Sequence, residues 1–176
     1  MNGVERAIFI DPGTTQSAWV EWDVSKGLDG CIEMGLLGNG TVLRYLTEAP
    51  YADAHLVLEE IQSYGMPVGK TVFDTVFWSG RFAQAHRGSF ELMPRRVVKL
   101  QLCGSSRAND SNIRQAVIDR MGDVPTIKRP NPRWPAKPRK DIWAAAAMAL
   151  AWMEEREERQ DGYKRIGELA STFGGE

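Results

Sequence analysis

The 176-residue chain reads as a single α/β domain, a mixed sheet with helices packed on it. Three observations carry that expectation. Ala7–Ile10 is a short apolar run closed by Asp11, followed by turn chemistry at Pro12-Gly13 and a second apolar run at Ala18–Val20; this is the pattern of a buried strand and its hairpin partner. From residue 55 to 121, short apolar runs alternate with helical periodicity, as in a sheet layered with helices. Ile142–Arg156 opens with alanines and other apolar residues in its first turns, which suits a helix lying close on its neighbours.

Composition bounds the class. A hydrophobic content of 43% and a charged content of 26% are ordinary for a soluble globular protein, and the length suits one domain with a full core. The longest apolar stretch, Ile142–Met153, is too short and too alanine-rich to cross a bilayer, so no membrane partner is expected. No basic segment followed by an apolar one opens the chain, and no signal peptide is expected. Cys31 and Cys103 are far apart and form no metal-binding spacing; thiols in a reducing compartment are the expectation. The net charge of −1 conceals a segregation: residues 1–60 carry −7, residues 61–140 carry +10 and residues 141–176 carry −4. A basic middle with acidic flanks suits a polyanionic ligand, if the fold gathers those charges on one face.

Element by element, Cys31–Leu37 is expected as a third strand after the first hairpin, with glycines marking the turns. Thr41–Glu48 has the spacing of a short helix, and His55–Leu58 is a second short apolar run ending in acids, Glu59 and Glu60. Apolar residues at Val68, Val72, Phe73, Val76, Phe77 and Phe82 predict an amphipathic helix from 68 to about 86, with its stripe in the core; a dimer face is the lesser option. Glu91–Pro94 and Val97–Cys103 read as strand-like, and Asp110 or Ser111 as the cap of a helix through Met121. Residues 124–140 hold five prolines, six Lys/Arg and no acid: an extended basic loop with one exposed aromatic, Trp134, suited to nucleic-acid backbone and bases. Residues 1–160 are expected to form the domain and 161–176 a partly frayed tail.

Three acids then stand out by setting. Asp11 closes the first strand, Glu59 closes a later one, and Asp141 opens the alanine-rich helix. Each has a plain structural reading: Asp11 as a turn residue, Asp141 as a helix cap. Together, with no histidine or cysteine beside them, they are hard oxygen ligands suited to Mg²⁺ or Mn²⁺. Two such ions about 3.5–4 Å apart would activate water and stabilise the leaving oxygen in phosphodiester hydrolysis.

The stretches IDPGTT (10–15), LVLEEIQSYGMPVGKTVFDT (56–75), WSGRF (78–82), LCGSSRANDSNIRQAVIDR (102–120) and DIWAAAAMALAW (141–152) resemble the RuvC-type Holliday-junction resolvases of the RNase H-like superfamily, specifically their short phage and prophage relatives. The resemblance implies an RNase H-like fold, a five-stranded mixed sheet flanked by helices. It further implies a Mg²⁺-dependent endonuclease, a homodimer, that nicks branched DNA in the cytoplasm of a bacterial host or phage-infected cell. By motif match the metal ligands would be Asp11, Glu59 and Asp141. Glu60 ranks second, because it points to the opposite face of its strand. Such enzymes commonly carry a fourth acid or histidine one helical turn before the last Asp; here that position is Pro138, flanked by Lys137, Arg139 and Lys140. A lysine there, or Asp110, could supply the fourth group, although Asp110 also fits a helix cap.

Candidate DNA contacts are Lys70, Arg81, Arg107, Lys137, Arg139 and Lys140, with Tyr64 as a stacking residue at a branch point. Arg95 and Arg96 fit either backbone binding or a solvated strand end. Three other functions compete. The Asp-x-Gly-Thr-Thr turn also resembles that of nucleotide-binding kinases and actin-like ATPases, but those need two domains and a second glycine-rich site, so no nucleotide cofactor is expected. A non-catalytic branched-DNA-binding module, and a nuclease of broader taste for flaps and forks, remain.

Overall fold

A computed structural model of the chain describes residues 4–173 except 64, 125, 127, 130, 132, 133 and 135–139, and of residues 140, 160 and 162–173 the backbone alone. The first two apolar runs form β1 (Arg6–Asp11) and β2 (Gln16–Asp23), an antiparallel hairpin, which β3 (Cys31–Gly38) extends antiparallel to β2. On the other side of β1 lie β4 (His55–Glu60) and β5 (Phe90–Pro94), each parallel to its neighbour. The result is the expected five-stranded mixed sheet, in the order β3-β2-β1-β4-β5. β1 is central, and Ala7, Phe9 and Ile10 are fully buried. A strand covered on both faces needs apolar residues at every position, which is why this one reads as an unbroken run.

Alternation divides the side chains between two layers. Ala7, Phe9, Val20, Trp22 and Val57 face the layer of α3 (Arg95–Cys103), α4 (Asp110–Met121) and α5 (Lys140–Phe173). Ile8, Ile10, Trp19, Leu56 and Leu58 face α1 (Asn39–Tyr45) and α2 (Lys70–Ala85), meeting Val42 and Phe82. α5 is the backbone of the first layer. Ala145, Ala146, Ala147, Ala149 and Ala151 are all but inaccessible, so the helix sits close on the sheet. Trp152 stacks near His55 at the start of β4, with ring centroids 5.5 Å apart. Asp141, at the start of the helix, is near enough for its charge to act on Asp11 at the end of β1, so α5 runs antiparallel to β4. The eleven residues back to Asp141 span about 16 Å of helix, comparable to the length of β4, which puts the helix start at the end of β4 where Glu59 lies.

Several expectations are corrected. Val97–Cys103 is helical and belongs to α3. Val98, Leu100 and Leu102 alternate like a strand, but Val98 and Leu102, four apart, are buried and Leu100 is exposed. The α4 cap is Asn109, one residue before the expected Asp110, in a reciprocal capping box with Asn112. The apolar stripe of α2 is not core throughout: Phe82 is buried, while Phe73, Val76 and Phe77 are 63%, 47% and 62% exposed. Periodicity gives a helix a face but not the surface that covers it. Trp134 is buried, not exposed. Its ring packs on Trp143, centroids 4.4 Å apart, and its indole N–H donates to the Gly122 carbonyl at 3.2 Å. The last helix continues past Arg156, to Phe173. Among the described residues no helix is long and apolar enough to cross a membrane.

Candidate active site

The site begins with strand register. Ile10 pairs with Leu58 between the parallel strands β1 and β4, so Asp11 and Glu59 follow at the next step, side by side and on one face. That face is the α5 side, shared with Phe9 and Val57. Glu60 projects from the opposite face, as expected, and accepts a hydrogen bond from Gln62 Nε2 at 2.8 Å.

The turn after Asp11 is built to hold it. A side chain at Gly13 would bring its Cβ to 2.2 Å from the Gln16 carbonyl, so only glycine fits. The Gly13 N–H donates to Ser17 Oγ at 3.2 Å, Ser17 Oγ donates to Asn39 Oδ1 at 2.7 Å, and Asn39 Nδ2 donates to the Gly13 carbonyl at 2.9 Å. Ser17 and Asn39 are buried, so this closed polar circuit fixes the turn in an otherwise apolar layer. Asn39, the first residue of α1, is not among the residues the sequence singles out; its only signal is a lone amide beside a glycine cluster.

Charge is crowded at the strand ends. The Asp11 carboxyl is pushed up to about 9, first by burial, then by a hydrogen bond with Glu59 and repulsion from it, and then by repulsion from Asp141; Arg95 opposes the shift. Asp141 thus lies near enough for its charge to act on Asp11, although its own side chain is exposed at the start of α5. Among the described residues no group of three or more His, Cys, Asp or Glu is gathered tightly enough to hold a metal ion in the arrangement seen.

Arg95 is the cation that meets this charge. β5 ends beside β4, with Glu60 opposite Pro94, so the first residue of α3 emerges next to Glu59. Arg95 Nη1 lies 3.5 Å from Glu59 Oε1, and Nη2 donates to Asp110 Oδ1 at 2.9 Å. Burial disfavours its charge, but the hydrogen bond to Asp110 and the fields of Glu59, Asp110 and Asp11 prevail and raise its pKa above the ordinary value. Asp110 therefore stands on Arg95, at the first turn of α4. Two surface clefts open on either side of this guanidinium, one toward Ser111, Arg114 and Trp143, the other toward Arg96, Lys99 and Ser106.

The other candidates scatter. Arg81 lies over the Trp78 and Phe77 rings of α2, at 4.4 and 5.7 Å from their centroids. Lys70, at the start of α2, pairs with Asp74 one turn on. Arg107 is exposed in the loop between α3 and α4. Tyr64, Lys137, Arg139 and the side chain of Lys140 lie outside the described residues, as does Pro138. Two described residues between Met121 and Asp141 are held in place. Asn131 Nδ2 donates to the Met121 and Asp123 carbonyls at 3.2 and 2.9 Å, and Trp134 lies on Trp143, two residues beyond Asp141. Arg114 covers Trp143 as well, its Cζ 4.7 Å from the ring centroid.

Solved structures share this architecture, two of RuvC among them. Thermus thermophilus RuvC superposes with a TM-score of 0.61 at 16% identity, covering 87% of this chain and 96% of that one. T. thermophilus RuvC in complex with Holliday junction substrate superposes with a TM-score of 0.57 at 15% identity, covering 84% and 92%. The chain has the fold of RuvC. No protein-family model and no curated protein matches its sequence.

Within the fold this chain shares with RuvC, Asp11 and Glu59 end adjacent strands on one face, and the charge of Asp141 reaches Asp11 from the start of α5. Their chemistry suits a hard divalent cation: every donor is a carboxylate oxygen, and a cation there would offset the repulsion from Glu59 and Asp141 that adds to burial in raising Asp11.

Proposed function

We propose that this protein is a metal-dependent, structure-specific endodeoxyribonuclease that nicks branched DNA, in the manner of a Holliday-junction resolvase of the short phage type. What supports the reading is that Asp11 and Glu59 end adjacent strands on one face and that the charges of Glu59 and Asp141 both act on the proton of Asp11. The similarity in fold to RuvC bound to a Holliday junction supports the choice of substrate.

Asp11, Glu59 and Asp141 would hold the ions, Mg²⁺ or Mn²⁺ and two per site. Bound there, divalent ions supply Lewis acidity and a water of lowered pKa. The chain contributes the rest. The Gly13–Ser17–Asn39 circuit fixes the Asp11 backbone, and the pairing of β4 with β1 fixes Glu59. The Trp134–Trp143 stack fixes the start of α5 and with it Asp141. Lys70, Arg81, Arg107, Lys137, Arg139 and Lys140 serve as attachment to DNA phosphates, and Tyr64 as a stacking platform. The protein acts as a homodimer. The uncovered stripe of α2, Phe73, Val76 and Phe77, supplies an apolar face of the kind that partner subunits bury.

The test compares nicking of a four-way junction, a flap and a linear duplex at matched salt, with Mg²⁺ and with chelator. Preferential, Mg²⁺-dependent nicking of the junction is expected. Equal cleavage of junction and flap would make the protein a general branched-DNA nuclease. Junction binding without nicking in any divalent ion would make it a non-catalytic module.

A further inference from the structure

Arg95 lies against the carboxylates, where the sequence suggested only DNA-backbone binding or a solvated strand end. It bridges two acids of different standing: Glu59 at the end of β4, at 3.5 Å, and Asp110 at the start of α4, at 2.9 Å. The second contact is the shorter and is a hydrogen bond; the first is a looser ion pair. The side chain is about one-third exposed, with clefts on both sides, so the guanidinium has room to shift.

We propose that Arg95 is the resident counter-ion of the carboxylate site, exchanging its hold on Glu59 for a divalent cation, while Asp110 retains the guanidinium and is not itself a metal ligand. The inference rests on the metal-dependent reading above and assigns two side chains within it. Without the ion, Asp11 and Glu59 lie side by side with the charge of Asp141 acting on Asp11, and Arg95 supplies positive charge to Glu59. When the ion arrives, Arg95 and the ion carry like charge beside one carboxylate, and the looser contact is the one that yields. Asp110 already holds the other Nη nitrogen, so the guanidinium keeps a partner as it withdraws. Glu59, Asp110 and Asp11 are the acids facing Arg95, and Arg114, Arg96 and Lys99 are the cations around it.

The exchange carries a sign for metal affinity that a merely structural arginine would not. Full-length protein is stripped of metal, and Mn²⁺ binding is followed by the decrease of the free-ion electron paramagnetic resonance signal, with no DNA and no turnover. Arg95→Gln removes the competitor and should tighten Mn²⁺ binding about three- to tenfold, the size of one like charge removed at this range in a partly solvated site. Asp110→Asn frees Arg95 to settle on Glu59 and should weaken binding about threefold. Because Asp110 acts through Arg95, the Asp110→Asn effect should vanish in the Arg95→Gln background, whereas a direct ligand would weaken binding in both when replaced. Weaker binding in Arg95→Gln, or an Asp110→Asn effect that persists in the double variant, overturns the proposal while leaving the metal site standing. Failure of the wild-type protein to bind Mn²⁺ overturns both. If Arg95→Gln does not fold, Asp110→Asn decides alone, since unchanged or tighter binding there is incompatible with the exchange.

Discussion

Asp11→Asn should make the metal-free protein more stable while abolishing its activity. In the native state the Asp11 carboxyl is pushed up to about 9 from an ordinary 3.8, because it is half-buried and faces Glu59 and Asp141. At about pH 7.5 the folded protein must therefore keep a proton that the unfolded chain gives up. An acid with raised pKa stabilises the fold at low pH and loses that contribution as pH rises, here from about 4 through about 9. At about 1.4 kcal/mol per pH unit, the upper bound near neutrality is about 5 kcal/mol. Relaxation of the exposed Asp141 side chain and the nearby Arg95 reduces it, and a net gain of about 1–3 kcal/mol is expected for the amide, which needs no proton. For a domain of this size that corresponds to a rise in Tm of about 3–10 °C. The assay is thermal unfolding by circular dichroism in EDTA from about pH 5 to 9. Wild-type Tm should fall across that window and the variant's should fall less. Added Mg²⁺ should raise the wild-type Tm by mass action and leave the variant nearly unmoved. A variant Tm equal to or below wild type in EDTA would refute the electrostatic account of the site.

Other perturbations separate the roles assigned to other residues. Glu59→Gln and Asp141→Asn should each eliminate nicking in gel assays while preserving junction binding. Charge reversal at Lys137, Arg139 and Lys140 should weaken junction binding and lower the slope of log affinity against log salt by about one for each phosphate no longer neutralised, measured by fluorescence anisotropy. Trp134→Ala should cost about 3 kcal/mol in urea unfolding, because it removes a buried indole with its hydrogen bond; nicking should fall further than binding, as the start of α5 loosens around Asp141. Phe73→Glu with Phe77→Glu should shift the protein to a monomer by light scattering, with little change in Tm because both rings are more than half exposed.

The sheet was legible because its central strand obeys a simple rule. Ala7–Ile10 is covered on both faces and so carries no polar residue, and the acid that ends it marks where the cover stops. The same reasoning located Glu59. The alanine-rich run gave α5 its existence and its burial, since Ile142–Met153 is apolar all round and leaves no polar face for solvent. α3 was illegible for a local reason: Val98, Leu100 and Leu102 satisfy strand alternation, and Val98 and Leu102 equally satisfy the helical interval of four. Only the tertiary cover decides between them, and it buries the pair four apart. Trp134 misled by its surroundings. Prolines and basic residues flank it, yet an indole contributes more by packing on Trp143 than by waiting for a base, and nothing in residues 124–140 names its partner nine positions later.

Within the site, position along the strand was readable and charge balance was not. Asp11, Glu59 and Asp141 stand out in the sequence because each lies where an element ends or begins, and the structure keeps each at such an end. Arg95 could not, because its importance comes from a register visible only in three dimensions. Pro94 lies opposite Glu60, so the residue after Pro94 must emerge beside Glu59. Proline ends the strand there and starts the helix one residue later, and that pins the guanidinium's origin to the acid's strand end. The arrangement has a physical consequence. A single arginine shared between Glu59 and Asp110 moderates the repulsion among the carboxylates at the strand ends. Moving that arginine by one position would turn it about 100° around α3, leaving Glu59 without its cation and Asp110 without its charged hydrogen bond.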